Sequence, residues 1–239
     1  NFFAANIVVE IVAKKHLLFR LVTITDWSKA LGKYITEFIG TFFLVLIITL
    51  CVITEQQMAP LAIGGTLAVM VFMGGHISGG HYNPAVSVAA LLRGALPASE
   101  IVPYLIAQTL GGSIGALVGN FIAEGSVPIA PNPDLPLHSS ILVEFLFTFA
   151  LALTVLNVAT AKGTENNSFY GLAIGFMVMC GAFAGGGISG GAFNPAVGVG
   201  LSIGAFIAGT GGNWILLYIA VPLAGGILAS YAFKLQGNK

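Results

Sequence analysis

The sequence predicts an all-α membrane protein with six transmembrane helices and two half-helices, arranged as an inverted three-plus-three repeat. Composition indicates the membrane, because the chain is 56% hydrophobic and only 8% charged, whereas soluble domains usually carry about 25% charged residues. Apolar runs long enough to cross a bilayer recur along the whole chain. A motif that occurs twice indicates the half-helices and the repeat. The formal net charge is zero, so nothing in the charge balance points to nucleic acid.

The repeated motif reads Ile-Ser-Gly-Gly-x-aromatic-Asn-Pro-Ala-Val, and its copies cover residues 77–86 and 188–197. Its glycines allow tight backbone turns, and proline suits the first turn of a helix, where its missing N–H leaves no hydrogen bond unmade. Asparagine is a favoured N-cap. Each copy therefore predicts an irregular loop that leads into a short helix. The candidate site residues in the motif are Asn83, Pro84, Ala85, Asn194, Pro195 and Ala196.

Residues 1–28 are predicted to form a leader that is separate from a main domain at residues 29–239. Apolar residues recur within residues 1–25 at roughly helical spacing, but four charged residues interrupt them and oppose a membrane span. The order of these charges does not fit a signal peptide. An amphipathic helix lying on the membrane surface and a disordered or non-native leader both remain open.

Six apolar segments of the main domain predict membrane spans. They lie at about residues 34–53, 60–75, 101–123, 139–161, 169–184 and 213–234. The two half-helices are expected to end at Arg93 and near Ile203. The first has about ten residues, or about 15 Å of helix, which is half of a hydrocarbon core about 30 Å thick.

Glycines in the third span predict close packing against another helix. Gly111, Gly115 and Gly119 recur at every fourth position and make a small-xxx-small face. After this span, residues 124–138 contain four prolines and two acidic residues, and we expect them to form an exposed loop between the two halves.

The two halves, at about residues 31–123 and 138–234, are similar outside the motif as well. The matching segments are 37–42 with 144–149 and 61–64 with 172–175. Each half has three spans, and an odd number of spans makes the second half enter the membrane from the opposite side. The repeat is therefore predicted to be inverted.

The positive charges agree with this topology. Every lysine and arginine falls on the side of the N-terminus, namely Lys14, Lys15, Arg20, Lys29, Lys33, Arg93, Lys162, Lys234 and Lys239. The opposite loops carry only Glu55, Glu124 and Asp134. Positive residues favour the cytoplasmic side, so both termini are predicted to be cytoplasmic. Short loops without an organellar signal favour a bacterial plasma membrane.

The inverted repeat brings the N-termini of the two half-helices together near the middle of the bilayer. Irregular backbone at that depth is tolerated only where protein buries it or where it lines a wet cavity. Each helix N-terminus acts as roughly half a positive charge, so two of them repel cations and protons. The amides of Asn83 and Asn194 can donate hydrogen bonds to a passing molecule, and loop carbonyls can accept them. These features predict a pore for small neutral solutes.

With these motifs the sequence resembles the major intrinsic proteins, the aquaporins and aquaglyceroporins, over about residues 33–234. The resemblance implies an aquaporin-like fold with one pore in each subunit and a homotetrameric assembly. It implies a channel for water and small neutral solutes. It also implies that Glu37 and Glu144 hydrogen-bond the loop backbone and hold the two loops in place.

The outer selectivity filter departs from the family pattern. The family usually carries Arg directly after the second Asn-Pro-Ala, and this chain has Val197 there. Counting from the asparagines and from the Leu-Ala-Ile-Gly segments places the other filter positions at Ile63, Ala182 and Gly191. Gly198 stands where aquaglyceroporins typically carry Asp. The filter is therefore expected to match neither a strict water channel nor a standard glycerol channel.

Such a constriction is expected to be wide and apolar, so that solutes larger than water pass, with glycerol, urea and ammonia as candidates. Another side chain, such as Phe183 or Phe193, could instead turn into the pore and leave room for water alone.

A proton-coupled secondary transporter of a small weak acid or amine is the alternative function. Glu37, Glu144, His76 and His81 would then carry protons, and inverted repeats with broken helices occur in transporters too. The symmetric placement of the two glutamates favours the loop-anchor role. His81 either lines the pore or packs as a structural side chain. Two histidines without further ligands do not make a metal site, and no catalytic constellation, cofactor or nucleic-acid partner is predicted.

Overall fold

The structure is a computed structural model that describes the backbone of residues 2–237 and the side chains of residues 28–237. Its helices, in chain order, are α1 (Phe2–Ile53), α2 (Ala59–Ser78), α3 (Pro84–Arg93), α4 (Ile101–Ala123), α5 (Leu137–Thr160), α6 (Tyr170–Ser189), α7 (Pro195–Ile207) and α8 (Ile215–Leu235). Short 3-10 turns cover Ala98–Glu100 and Lys162–Thr164. Within the described residues, six helices are long and apolar enough to cross a membrane, and α3 and α7 are the two shorter apolar helices.

The predicted spans and half-helices are present, with three differences at their ends. The span in α1 begins by Ser28 and not at residue 34, and α1 continues through the predicted boundary of the leader. The predicted surface helix at residues 1–28 lies outside the residues whose side chains are described, apart from Ser28, and stays a prediction. The half-helix α7 ends at Ile207, four residues beyond the predicted end.

The third difference concerns α2 and α6, which run through their glycines to Ser78 and Ser189 and not to residues 75 and 184. Each helix ends where the next glycine is left-handed, with φ of 93° at Gly79 and 87° at Gly190. A left-handed glycine is the usual C-terminal stop of a helix. The earlier glycines therefore do not break these helices, and the loops are shorter than the sequence suggested.

Glycines set the close approach of helices within and between the two halves. In the first half, a Cβ at Gly111 or Gly115 of α4 would meet the carbonyl oxygens of Phe38 and Phe42 on α1, which confirms the predicted small-residue face. Between the halves, α2 crosses α6 at Gly64 and Gly175, where each would place a Cβ on the carbonyl oxygen of the other. These two glycines end the Leu-Ala-Ile-Gly segments that the halves share. Because equivalent residues of the two halves contact each other here, the pseudo-twofold axis that relates the halves passes through this crossing.

The loop between the halves is not simply exposed, and the prediction for residues 124–138 is wrong in this respect. Glu124 and Asp134 are exposed, but Val127 and Ile129 are only 8% and 5% exposed and belong to the core. The backbone N–H of Asn132 donates to the carbonyl of Ile188 at 3.0 Å, which ties the loop to the end of α6. The loop therefore folds back over the protein because it carries apolar side chains that water would not solvate.

The crossing of α2 and α6 makes a first testable prediction. Gly64→Ala would set a methyl group 2.5 Å from the carbonyl oxygen of Gly175, whereas Gly65→Ala would meet nothing within 4 Å. Overpacking of this kind typically costs about 1–3 kcal/mol. We expect Gly64→Ala to lower the melting temperature of the detergent-solubilised protein and Gly65→Ala, the matched control, to leave it unchanged. Equal effects of the two substitutions would contradict the close crossing.

Candidate functional site

The two repeated loops have the same backbone conformation. After the left-handed glycines, Gly80 and Gly191 have φ of 63° and 67°. Tyr82 and Phe193 then have φ of 48° and 49°, a region that non-glycine residues rarely adopt. These residues reverse the direction of the backbone within a few positions. The half-helix that follows therefore begins inside the protein.

The predicted N-caps are confirmed. Asn83 is extended, with φ −156° and ψ 119°, and its Oδ1 accepts from the backbone N–H of Ala85 at 2.8 Å. Asn194 has φ −159° and ψ 115°, and its Oδ1 accepts from the N–H of Ala196 at 2.9 Å. Pro84 and Pro195 occupy the first helical positions. The oxygen of each asparagine side chain is therefore turned toward its own helix.

The nitrogens of the same side chains join the two loops. Asn83 Nδ2 donates to the carbonyl of Phe193 at 2.9 Å, and Asn194 Nδ2 donates to the carbonyl of Tyr82 at 2.8 Å. A side-chain amide carries two N–H groups. One N–H of each asparagine is thus bonded to the opposite loop, which leaves the other for a molecule at the junction. The sequence predicted the donors but not this reciprocal bond.

Glu37 of α1 holds the first loop. Its side chain is completely buried and accepts hydrogen bonds from Ser78 Oγ at 2.6 Å and from the backbone N–H groups of His81 and Tyr82 at 3.0 and 2.7 Å. These two N–H groups lie in the non-helical part of the loop and have no partner within a helix. Glu37 therefore satisfies the backbone where the chain turns.

Glu144 of α5 makes the equivalent contacts in the second half. It is also completely buried, and it accepts from Ser189 Oγ at 2.7 Å and from the N–H groups of Ala192 and Phe193 at 2.9 and 2.7 Å. The two carboxylates thus have the contacts that the loop-anchor role requires.

Two tyrosines that were not predicted as site residues support the same loops. The hydroxyl of Tyr104 on α4 donates to the carbonyl of Ser78, and the hydroxyl of Tyr218 on α8 donates to the carbonyl of Ser189. Both tyrosines are buried and stand seven residues before a Gly-Gly pair. This shared spacing in α4 and α8 is the sequence signal that identifies them.

Gln108 was missed as well, and it makes the two halves different. Its Nε2 donates to Glu37 Oε2 and to Ser87 Oγ, both at 2.8 Å, and Ser87 Oγ lies 3.0 Å from Nδ1 of His81. The corresponding positions of the second half hold Pro222, Gly198 and Ala192. A chain of polar side chains therefore reaches from Glu37 to His81 in the first half, and the second half has no side-chain equivalent.

A cavity of about 410 Å³ lies between the loop that connects the two halves and the junction of the two half-helices. Asn83, Asn194 and His81 line it. The four predicted filter residues, Ile63, Ala182, Gly191 and Val197, line the same cavity. Val127 and Ile129 of the loop between the halves close its outer side. The structure therefore brings the filter positions and both asparagines to one continuous space.

A second cavity, of about 550 Å³, opens at the opposite end of the molecule beside Lys162 and Asn167, and His76 lines it. Glu37 and Glu144 line neither of these two cavities. Phe183 does not line the cavity of the filter residues, and Phe193 lines it but has its ring packed against another aromatic side chain. Phe183 is 54% exposed on the outside of α6, and the ring of Phe193 packs against that of Phe147 at 5.3 Å between centroids.

Comparison with known proteins gives consistent matches. The family described as Major intrinsic protein matches residues 21–233. The chain is 34% identical over 216 residues to the glycerol uptake facilitator protein-like 6 of Lactiplantibacillus plantarum, a match that covers 87% of this chain and 99% of that protein. It is 32% identical over 225 residues to mouse aquaporin-4, covering 87% of this chain and 68% of the relative.

Among solved structures, the X-ray structure of the aquaglyceroporin from Plasmodium falciparum aligns with a TM-score of 0.77. The alignment covers 85% of this chain and 95% of that one at 20% identity, so it shows the shared fold.

The anchor contacts lead to a prediction for Glu144→Ala. The substitution leaves two backbone N–H groups and one hydroxyl without their acceptor, and each buried unpaired group costs about 1–3 kcal/mol. We expect little folded protein by size-exclusion chromatography in detergent. Glu124→Ala, at an exposed glutamate, is the control and should purify like the wild type. A well-folded Glu144→Ala protein that has lost proton coupling but keeps passive flux would favour the transporter function instead.

Proposed function

The chain belongs to the major intrinsic protein family and is a passive membrane channel for water and small neutral solutes, and we propose that these solutes cross at the junction of Asn83 and Asn194. The observation that carries the proposal is the pair of reciprocal amide bonds between the two loops. These bonds fix one N–H of each asparagine. The remaining N–H groups are then available at a single level of the cavity that both side chains line.

Ion exclusion follows from the electrostatics of this junction. The N-termini of α3 and α7 contribute about half a positive charge each, and both lie at the cavity that Asn83 and Asn194 line. Among the described residues that line the cavity, none carries a carboxylate that would offset them. Cations and protons therefore meet a barrier, and proton exclusion rests on the half-helices because Val197 replaces the usual arginine.

The filter residues Ile63, Ala182, Gly191 and Val197 set the size and polarity of the outer constriction. Two are aliphatic and two are small, and none supplies a charge or an aromatic ring. The constriction is accordingly wide and apolar, with glycerol, urea and ammonia as candidate solutes. A relative whose name refers to glycerol uptake supports glycerol as one of them.

A fixed pore is better supported than a proton-coupled transporter. Glu37 and Glu144 are committed to loop N–H groups and lie outside both cavities described above. The amide bonds between the loops also join the two halves, which a rocking mechanism would have to separate. Solute flux into proteoliposomes should therefore rise linearly with concentration and ignore a pH gradient. Saturable flux that follows the pH gradient would support the transporter.

Orientation and assembly complete the proposal. Arg93, whose Nη2 donates to the carbonyl of Thr160 at 3.3 Å, and Lys162 lie at the end that carries the second cavity. We assign this end to the cytoplasm because positive residues favour that side. Apolar side chains that stand exposed on the outside, such as Phe121 and Leu216, suit lipid and the contacts of a homotetramer. The location we propose is a bacterial plasma membrane.

The filter gives a prediction for Val197→Arg. Arginine narrows the cavity and adds a fixed positive charge and hydrogen-bond donors, so we expect the permeability to glycerol and urea to fall more than that to water. Stopped-flow light scattering on proteoliposomes measures the three permeabilities. Val197→Leu adds volume without charge and separates the two causes. An unchanged glycerol-to-water ratio in Val197→Arg would show that this position does not form the constriction.

The cysteines give a further prediction. Cys180 is exposed on α6, and neither Cys51 nor Cys180 lines the two cavities described above. We expect water flux to be insensitive to mercurials. Ala182→Cys places a thiol on the cavity wall and should make the flux sensitive, which serves as the positive control. Inhibition of the wild type that disappears in Cys180→Ser would show that α6 is turned differently.

A further inference from the structure

The segment that connects the two halves is fixed on both sides of the outer cavity. At one side, the hydroxyl of Ser126 lies 2.8 Å from that of Thr210, in the loop that follows α7. At the other side, Asn132 binds the last turn of α6, because its Nδ2 donates to the carbonyl of Gly187 at 2.9 Å. Residues 126–132, which we call the strap, therefore cross the outer end of the cavity between two anchored ends.

Between these ends the strap turns toward the cavity. The backbone N–H of Ile129 donates to the carbonyl of Val127 at 2.9 Å, which closes a three-residue turn around Pro128. The side chains of Val127 and Ile129 are buried and line the cavity. They share one buried apolar cluster with the filter residues Ile63 and Val197. Aliphatic side chains of the strap therefore lie beside the filter.

Ile129 occupies room that the filter residues leave. A Cβ atom placed on Gly190 would lie 2.8 Å from Cγ1 of Ile129, so this side chain packs directly on the backbone that precedes the filter residue Gly191. Neither glycine brings a side chain of its own. The aliphatic group from the strap therefore takes the space that a side chain of this backbone would otherwise fill.

The same stretch of backbone supplies hydrogen-bond acceptors. Gly190, Gly191 and Ala192 line the cavity, and among the described residues no donor reaches their carbonyl oxygens. A solute can place its O–H or N–H groups there. Passage at this level is therefore limited by the width of the opening, and the width depends on the Ile129 side chain.

We propose that Ile129 is a fifth residue of the outer filter and determines the largest solute that the channel admits. The proposal rests on the path through the cavity proposed above, and it adds a residue that counting from the repeated motif does not identify. An arginine at the Val197 position would narrow this region from α7, whereas here the narrowing side chain comes from the strap. Because isoleucine is β-branched and the strap is anchored at both ends, this side chain has little freedom to swing aside.

Two polyols with one hydroxyl on each carbon, glycerol and erythritol, test the proposal because they differ in size and not in the density of polar groups. Permeabilities to both and to water are measured by stopped-flow light scattering on proteoliposomes, and those of protein-free vesicles are subtracted. We expect Ile129→Ala to raise the ratio of erythritol to water permeability by about tenfold, the lower end of what a pocket achieves for one carbon more or less. Ile129→Phe should lower the ratio of glycerol to water permeability.

Two further variants separate the side chain from the loop that carries it. Leu135→Ala removes an aliphatic side chain from the same loop, but Leu135 is 40% exposed and lines neither cavity described above, so its ratios should equal those of the wild type. Ile129→Val removes a single methyl group and keeps the branched shape. It should raise the erythritol-to-water ratio less than Ile129→Ala, and it replaces that variant if Ile129→Ala gives no folded peak by size-exclusion chromatography.

The possible results separate the inference from the proposed path. Water flux with unchanged solute ratios in the folded Ile129 variants overturns the inference and leaves the path intact. Equal increases of the erythritol ratio in Ile129→Ala and Leu135→Ala would come from a general loosening of the loop and overturn the inference as well. A wild type without water or solute flux above that of protein-free vesicles overturns the proposed path, and the inference with it.

Discussion

The pore junction of this channel depends on satisfying backbone N–H groups in two non-helical loops at the middle of a membrane. Water is scarce at that depth, and an unpaired backbone group costs several kcal/mol in hydrocarbon. Glu37 and Glu144 each supply both carboxylate oxygens to their loop. Because these bonds fix the loops, the half-helices that follow have defined directions, and their N-termini can face one point.

The same bonds hold a conformation that the chain does not favour by itself. Tyr82 and Phe193 both have positive φ, which costs a non-glycine residue roughly 1–3 kcal/mol when its surroundings hold it there. Their side chains are fixed too, since the Tyr82 hydroxyl donates to Met70 and the Phe193 ring packs on Phe147. The carbonyls of these two residues are therefore presented to the asparagine of the opposite loop, and a rigid junction results.

Much of the fold and of the pore junction could be predicted because the sequence contains the same motif in both halves. The repeated motif located both half-helices and their caps, and the matched glutamates located the anchors. What the sequence did not indicate was where single side chains turn. An amide at Asn83 can point to a solute or to Phe193, and spacing does not decide between them. The role of Gln108 was not predicted because this residue has no counterpart in the second half. The burial of Val127 and Ile129 was not predicted because the prolines around them are typical of exposed loops.

The distribution of the loop supports along the chain bears on how the protein is made. All the contacts described for Glu37 come from residues between Ser78 and Gln108, so they lie in the half that leaves the ribosome first. Gln108 belongs to the first half as well and donates to the Glu37 carboxylate. The residues that anchor the first loop are therefore all present in the chain before the second half is synthesised. The Tyr82 carbonyl and the Asn83 Nδ2, in contrast, find their partners in the second loop.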